Sequence, residues 1–283
     1  MLPDQPSRTI LNPAIQRAAH QLLDSPLILD DPVAIGLIPE ASQAAILSSA
    51  HDLRSPRITM VRSLMMLRNR FAEDRLLEAA GRGVRQYVMI GPGLETFPWR
   101  QPSFAQSMQI FAVDHPATLA FTRDRLRERG LSPPSNLTFV PLDLEQRQLG
   151  HSLVGCGFDR ESEAFWSILG VIQYLSSESL HALLAFAGSL PAGSETVMSF
   201  NPLDDELDGD DLDELNRSMA RGAAVGEPWI TRMRPADLAR RLACLGFGSV
   251  FHLTPMLAQE RYFSNRSDQL RASRFEQLMA AVV

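Results

Sequence analysis

The sequence predicts an α/β protein, a doubly wound, mostly parallel, Rossmann-like sheet. Three observations carry that expectation. An apolar run, Tyr87 to Ile90, leads straight into a glycine-bearing turn at Gly91 and Gly93. A second apolar run, Ile110 to Val113, ends on a lone carboxylate, Asp114. Strand-like and helix-like segments then alternate as far as Phe200, the pattern of a parallel sheet covered on both faces. Glycine lets a backbone approach a ligand where a Cβ would clash, and a carboxylate about 20 residues further on can accept both hydroxyls of a ribose. The pair reads as the opening βαβ unit of a nucleotide-binding sheet.

Taken in order, residues 1–52 read as helices, Ile10 to Leu23 and Ala41 to Ala50, interrupted by Pro26, Pro32 and Pro39. They form a helical lid rather than sheet. From Arg57 to Ala80 apolar residues keep a helical period through Ile58, Val61, Met65, Phe71 and Leu76, with Gly81 and Gly83 as the stop signal. Arg70, one turn before Asp74, can pair with it. Beyond Asp114, Pro116 to Arg129 is an amphipathic helix, and Leu137 to Pro141 is a strand that delivers Asp143 and Leu144. Phe165 to Ile168 is the fourth strand, Gln173 to Ser189 its helix, and Glu195 to Phe200 the fifth strand. The acidic run at 204–214 precedes a helix carrying Leu215 and Met219; negative charge at a helix start explains it, and it lacks the ligand spacing of a calcium loop. A helix from Pro235 to Leu245, a strand from Val250 to Leu253 and an amphipathic tail complete the chain.

Composition narrows the function. At 283 residues, 45% hydrophobic, the chain suits a globular domain, and a net charge of -6 argues against a nucleic-acid partner. Two cysteines, Cys156 and Cys244, make neither a disulfide framework nor a zinc cluster, so no metal is expected. Every basic residue is Arg, which excludes lysine Schiff-base chemistry and the Walker phosphate loop. No apolar run long enough for a membrane span and no leader-like start is visible, so a cytoplasmic location away from the membrane is expected.

The glycine turn, Asp114 and Asp143 all fall at the C-terminal ends of successive strands, where open α/β sheets bind ligands. The turn continues as Glu95 and Thr96 instead of reaching a third glycine. A carboxylate there opposes the pyrophosphate of NAD but tolerates S-adenosylmethionine, which has no phosphate and carries a sulfonium. S-adenosylmethionine is therefore the expected cofactor, and an NAD-dependent oxidoreductase the weaker reading.

The segments SRTILNPAIQRAAHQLLDSPLILDDPVA (7–34), RNRFAEDRL (68–76), GVRQYVMIGPGLETFPWR (83–100), FAVDHPATLAFTRDRL (111–126), VPLDL (140–144), GEPWITRMRPADLARRLACLGF (226–247) and ERYFSNRSDQLR (260–271) run in order through the chain. Through them it resembles the leucine carboxyl methyltransferase-like class I methyltransferases, in particular a bacterial branch associated with polyketide and other secondary metabolism. The resemblance implies one seven-stranded domain over 1–283, with a helical lid (1–56), a cofactor-binding core (57–200), a lid insertion after the fifth strand (201–234) and the rest of the core (235–283). It implies Gly91 and Gly93 beside the donor's methionine part, with Glu95 in the same turn, Asp114 on its ribose, and Asp143 with Leu144 around its adenine. Arg70, the second arginine of the R-x-R-F motif, is implied to pair with the donor's carboxylate, a task suited to a guanidinium fork.

One departure stands out. The family's A-E-G-x-x-x-Y-L segment carries a glutamate for the donor's ammonium, where this chain has Leu169. Losing that partner costs about 1 to 3 kcal/mol; Glu95 is a candidate substitute, and a non-catalytic, partner-regulating protein is the alternative reading. Methyl transfer needs no triad or metal, and a carboxylate acceptor needs no base, whereas a hydroxyl would call on His20, His115 or Tyr174. Tyr174, Trp229 and Tyr262, with Met233, are the expected walls of the acceptor pocket, and Arg232 or Arg261 the expected partner of an acceptor carboxylate. The acceptor is expected to be a small molecule, free or carrier-bound.

Overall fold

The computed structural model describes residues 6–146 and 149–283, so the first five residues of the expected lid lie outside the described residues. Seven strands form one sheet: β1 (Gln86–Ile90), β2 (Gln109–Asp114), β3 (Leu137–Pro141), β4 (Ala164–Ile168), β5 (Glu195–Phe200), β6 (Ser249–Leu253) and β7 (Gln277–Val282). Their order is β3-β2-β1-β4-β5-β7-β6, with β7 antiparallel to both of its neighbours and the pairs from β3 to β5 parallel. The order reverses between β1 and β4, so a crevice opens above that point.

Eleven α-helices lie among the described residues. They are α1 (Leu11–Leu23), α2 (Pro32–Leu37), α3 (Glu40–Ser48), α4 (Ala50–Leu53), α5 (Pro56–Arg82), α6 (Pro116–Glu128), α7 (Leu149–Gly155), α8 (Ser177–Gly188), α9 (Gly209–Ala224), α10 (Pro235–Cys244) and α11 (Pro255–Tyr262). Strand residues alternate between two cores: Val88 and Ile90 face one, together with Leu180, Leu184, Leu238 and Leu242, while Tyr87 and Met89 face the other, with Phe71 and Leu76 of α5. The sheet is thus a layer between helices, which forces its strands to be apolar on both sides.

Helix α5 has its boundaries written in the sequence. Pro56 occupies the first turn after Ser55, and Gly83 closes the helix in the left-handed conformation at φ 111°. Its later half packs on the sheet, and its first turns, through Met60, Val61 and Leu64, pack on Leu215 of α9 and on Phe275. Buried Glu195, at the start of β5, accepts from Arg75 at 2.5 Å and Arg82 at 2.6 Å, clamping the helix to the sheet. Two details differ from expectation. The helix after β4 begins only at Ser177, because Ser176 caps it after a short 3-10 turn at Ile172–Tyr174. The tail, expected to be amphipathic, instead supplies α11 and the inserted strand β7, whose residues are almost all buried. No helix among the described residues is long and apolar enough to cross a membrane.

Candidate functional site

The turn after β1 requires its glycines. Gly91 and Gly93 hold φ 60° and 56°, in the region disfavoured for other residues, and a Cβ on Gly91 would lie 2.5 Å from Cγ2 of Val171. The Gly93 amide donates to Oδ2 of Asp114 at 2.9 Å, and the His115 amide donates to Oδ1 at 2.7 Å. Asp114 is thereby aimed across the turn from the end of β2. Burial pushes its carboxyl up to about 6 despite those two amides.

A cavity of about 580 Å³ sits over the crevice. Gly91, Gly93, Glu95, Asp114, Asp143 and Leu144 line it, and so do Tyr174 and Trp229. The Tyr174 and Trp229 rings meet edge to face with centroids 6.4 Å apart. Burial raises the Tyr174 hydroxyl above the usual phenol value. The segment after α9 is fixed over β4 by Ile230 and Thr231 amides donating to the Gln173 carbonyl, at 2.7 and 3.2 Å.

Glu95 is already saturated. Burial alone would raise its carboxyl, but the Arg17 and Arg100 guanidiniums and the Phe97 and Thr96 amides outweigh that and hold it at about 2. Asn69 also donates to it, and Arg17 reaches on to the Leu94 carbonyl. Asp31 joins through Thr96 and Arg100, and Glu73 through Arg100. This buried network ties α1, α5 and the glycine turn together, so Glu95 acts as a post for the turn.

Arg70 does not reach the cavity. Its guanidinium is nearly half exposed and donates to Asp74 at 2.8 Å and to the Ile28 carbonyl at 3.0 Å. Arg68 lines the cavity instead. Two residues along a helix are about 200° apart, so only one arginine of R-x-R can face inward. The inward stripe of α5 is Val61, Met65, Arg68, Asn69, Ala72 and Glu73, whose three- and four-residue spacing was available from the sequence. Tyr262 is also outside the cavity, donating to Asp74 at 2.8 Å. Met233 packs in the core beneath α10, Arg232 pairs with Asp204 and Arg261 with Asp74, so none lines the cavity. His20 is buried in α1, bonded to Asp24 and the Ile28 amide, while His115 caps α6. Sequence reasoning also missed Gln173, Phe275 and Glu276 on the cavity wall. No group of three or more metal-ligating side chains occurs among the described residues.

The sheet order, the glycine turn and the carboxylate at the end of β2 define a class I methyltransferase fold. A family model described as leucine carboxyl methyltransferase matches residues 10–188. A Bacillus subtilis protein described as a putative S-adenosyl-L-methionine-dependent methyltransferase is 30% identical over 96% of each chain. A Mycolicibacterium paratuberculosis protein of the same description is 31% identical over 77% of this chain and 72% of its own length. Among solved structures, a methyltransferase-fold protein from Thermobifida fusca superimposes with a TM-score of 0.60 at 17% identity, covering 99% of this chain and 95% of that one. The chain belongs to the leucine carboxyl methyltransferase family of S-adenosylmethionine-dependent methyltransferases.

Proposed function

We propose that this protein transfers a methyl group from S-adenosylmethionine to an oxygen, with a carboxylate favoured, of a small-molecule or carrier-bound acceptor in secondary metabolism. The observation that carries the proposal is the one cavity that Asp114 and Asp143 line together with Tyr174 and Trp229. Its residues suit the donor on three counts. The Gly91 to Gly93 backbone presents a cradle that a Cβ would fill, Asp114 presents a carboxylate beside it, and the buried Arg68 keeps an Nε with no hydrogen-bond partner. Bound there, the donor supplies a methyl group on a sulfonium, already activated for displacement.

The chain then has to align the acceptor and exclude water. The segment Ser7 to Ile10 roofs the cavity. Buried Glu227 holds it, accepting from the Ser7 hydroxyl at 3.2 Å, the Arg8 amide at 2.8 Å and the Thr9 hydroxyl at 2.8 Å. Three polar groups of the cavity wall are poor bases: Glu227 is committed to the roof, burial raises the Tyr174 hydroxyl, and the His115 side chain caps α6. An acceptor that arrives ionised needs none, which supports a carboxylate over an alcohol. Turnover of labelled donor with a panel of carboxylic acids and phenols tests the proposal. A product whose label is released by mild alkali, as from a methyl ester, supports it; an alkali-stable methyl on a phenol contradicts the carboxylate.

A further inference from the structure

Leu169 lines the cavity at the end of β4, so the wall is apolar where an acid for the donor's ammonium is expected. The remaining acids of the wall near Arg68 are spoken for, with one exception. Glu73 is bound by both terminal nitrogens of Arg100, Glu95 is saturated in its network, and Glu227 holds the roof. Glu276, immediately before β7, is buried and faces the cavity, and among the described residues it pairs with Arg68.

That pair is loose. Arg68 Nη1 stands 3.4 Å from Oε1 of Glu276, longer than the roughly 2.8 Å of a well-formed charge-assisted bond, and Arg68 Nε has no hydrogen-bond partner among the described residues. Space for the guanidinium comes from Gly170, at φ 71°, where a Cβ would lie 2.6 Å from Arg68 Nη1. One buried cation and one buried anion thus sit side by side on the cavity wall. An α-amino acid end presents the reverse arrangement, a carboxylate and an ammonium on one carbon. Each protein charge neutralises the other while no such group is present, which avoids leaving either buried alone.

We infer that Arg68 and Glu276 form the receptor for the zwitterionic end of the donor, with Arg68 taking the carboxylate and Glu276 the ammonium in place of the acid absent at Leu169. The inference rests on the proposed donor site. It assigns to the last strand of the sheet a role that the family places after the fourth.

Calorimetry on Glu276→Gln tests it with two probes, S-adenosylmethionine and 5′-methylthioadenosine, a nucleoside thioether without the amino-acid end. The inference expects the variant to bind S-adenosylmethionine about tenfold or more weakly, to bind the thioether as the parent does, and to recover donor affinity when Leu169→Glu is added. Unchanged donor affinity in Glu276→Gln, alongside a loss in Asp114→Ala, overturns the inference and leaves the donor site standing. Equal weakening of both probes also overturns it, because that is the mark of a structural role. A parent protein that binds neither probe removes the donor site itself.

Discussion

Replacing Asp114 by asparagine separates binding from stability at the centre of the site. Its carboxyl is pushed from 3.8 to about 6 by burial, with the Gly93 and His115 amides compensating in part. Two units correspond to a ceiling of about 3 kcal/mol; the side chain borders a cavity open to water, so screening leaves about 1 kcal/mol. The sign follows from the direction. An acid raised above its unfolded value penalises the folded state when ionised, so the penalty is full above about pH 6 and disappears as pH falls towards 4. Donor binding runs the other way, because only the ionised form accepts both ribose hydroxyls strongly. Affinity of the parent should fall by up to about tenfold per pH unit below about 6. Asp114→Asn should bind the donor at least about tenfold more weakly, from the loss of about 1.5 to 3 kcal/mol in a charged hydrogen bond, and should lose the pH dependence. Calorimetric titrations at pH 5, 6 and 7, values chosen to bracket that about 6, check this. Undiminished affinity in the variant, or the same pH slope in both proteins, refutes the assignment of Asp114.

Gly170→Ala should weaken donor binding severalfold, since its Cβ displaces Arg68 and the backbone at φ 71° strains any side chain; an unchanged dissociation constant counts against Arg68 as a donor contact. Glu227→Ala should free the roof, seen as faster tryptic cleavage after Arg8 and a raised KM for the acceptor with little change in donor affinity. A cleavage rate equal to the parent's contradicts that anchoring role. Glu195→Ala should lower unfolding stability by about 1 to 3 kcal/mol in denaturant titration, because Arg75 and Arg82 lose their shared partner. Donor affinity should stay as it was, and a stability equal to the parent's removes the clamp.

Much of the fold was legible because the strands carry simple signals. Tyr87 to Ile90 and Ile110 to Val113 are apolar runs bounded by turn residues, and Gly83 marks the end of α5 by backbone chemistry alone. Strand β7 was not, since Gln277 to Val282 reads equally as the apolar face of a helix and is fixed as a strand only by pairing between β5 and β6. The same division holds in the site. Gly91, Gly93, Asp114 and Asp143 reach the cavity because strand ends in a parallel sheet converge without further information. Arg70 lies off the cavity wall for a helical reason: choosing between arginines two residues apart needs the rotation of α5, which Val61, Met65 and Ala72 encode more faintly than the motif does. Glu276 lies about 200 residues from Arg68, and no local pattern announces a pairing of that range.

We propose that the donor spans the crest of the sheet, from Asp143 past the Gly91 to Gly93 turn to Arg68. A crystal structure of the protein with S-adenosylhomocysteine tests it most directly. The ribose hydroxyls are expected on the Asp114 carboxylate, the adenine beside Asp143 and Leu144, and the amino-acid end between Arg68 and Glu276. A nucleoside lodged outside this cavity, or lying in it with its ribose away from Asp114, contradicts that placement.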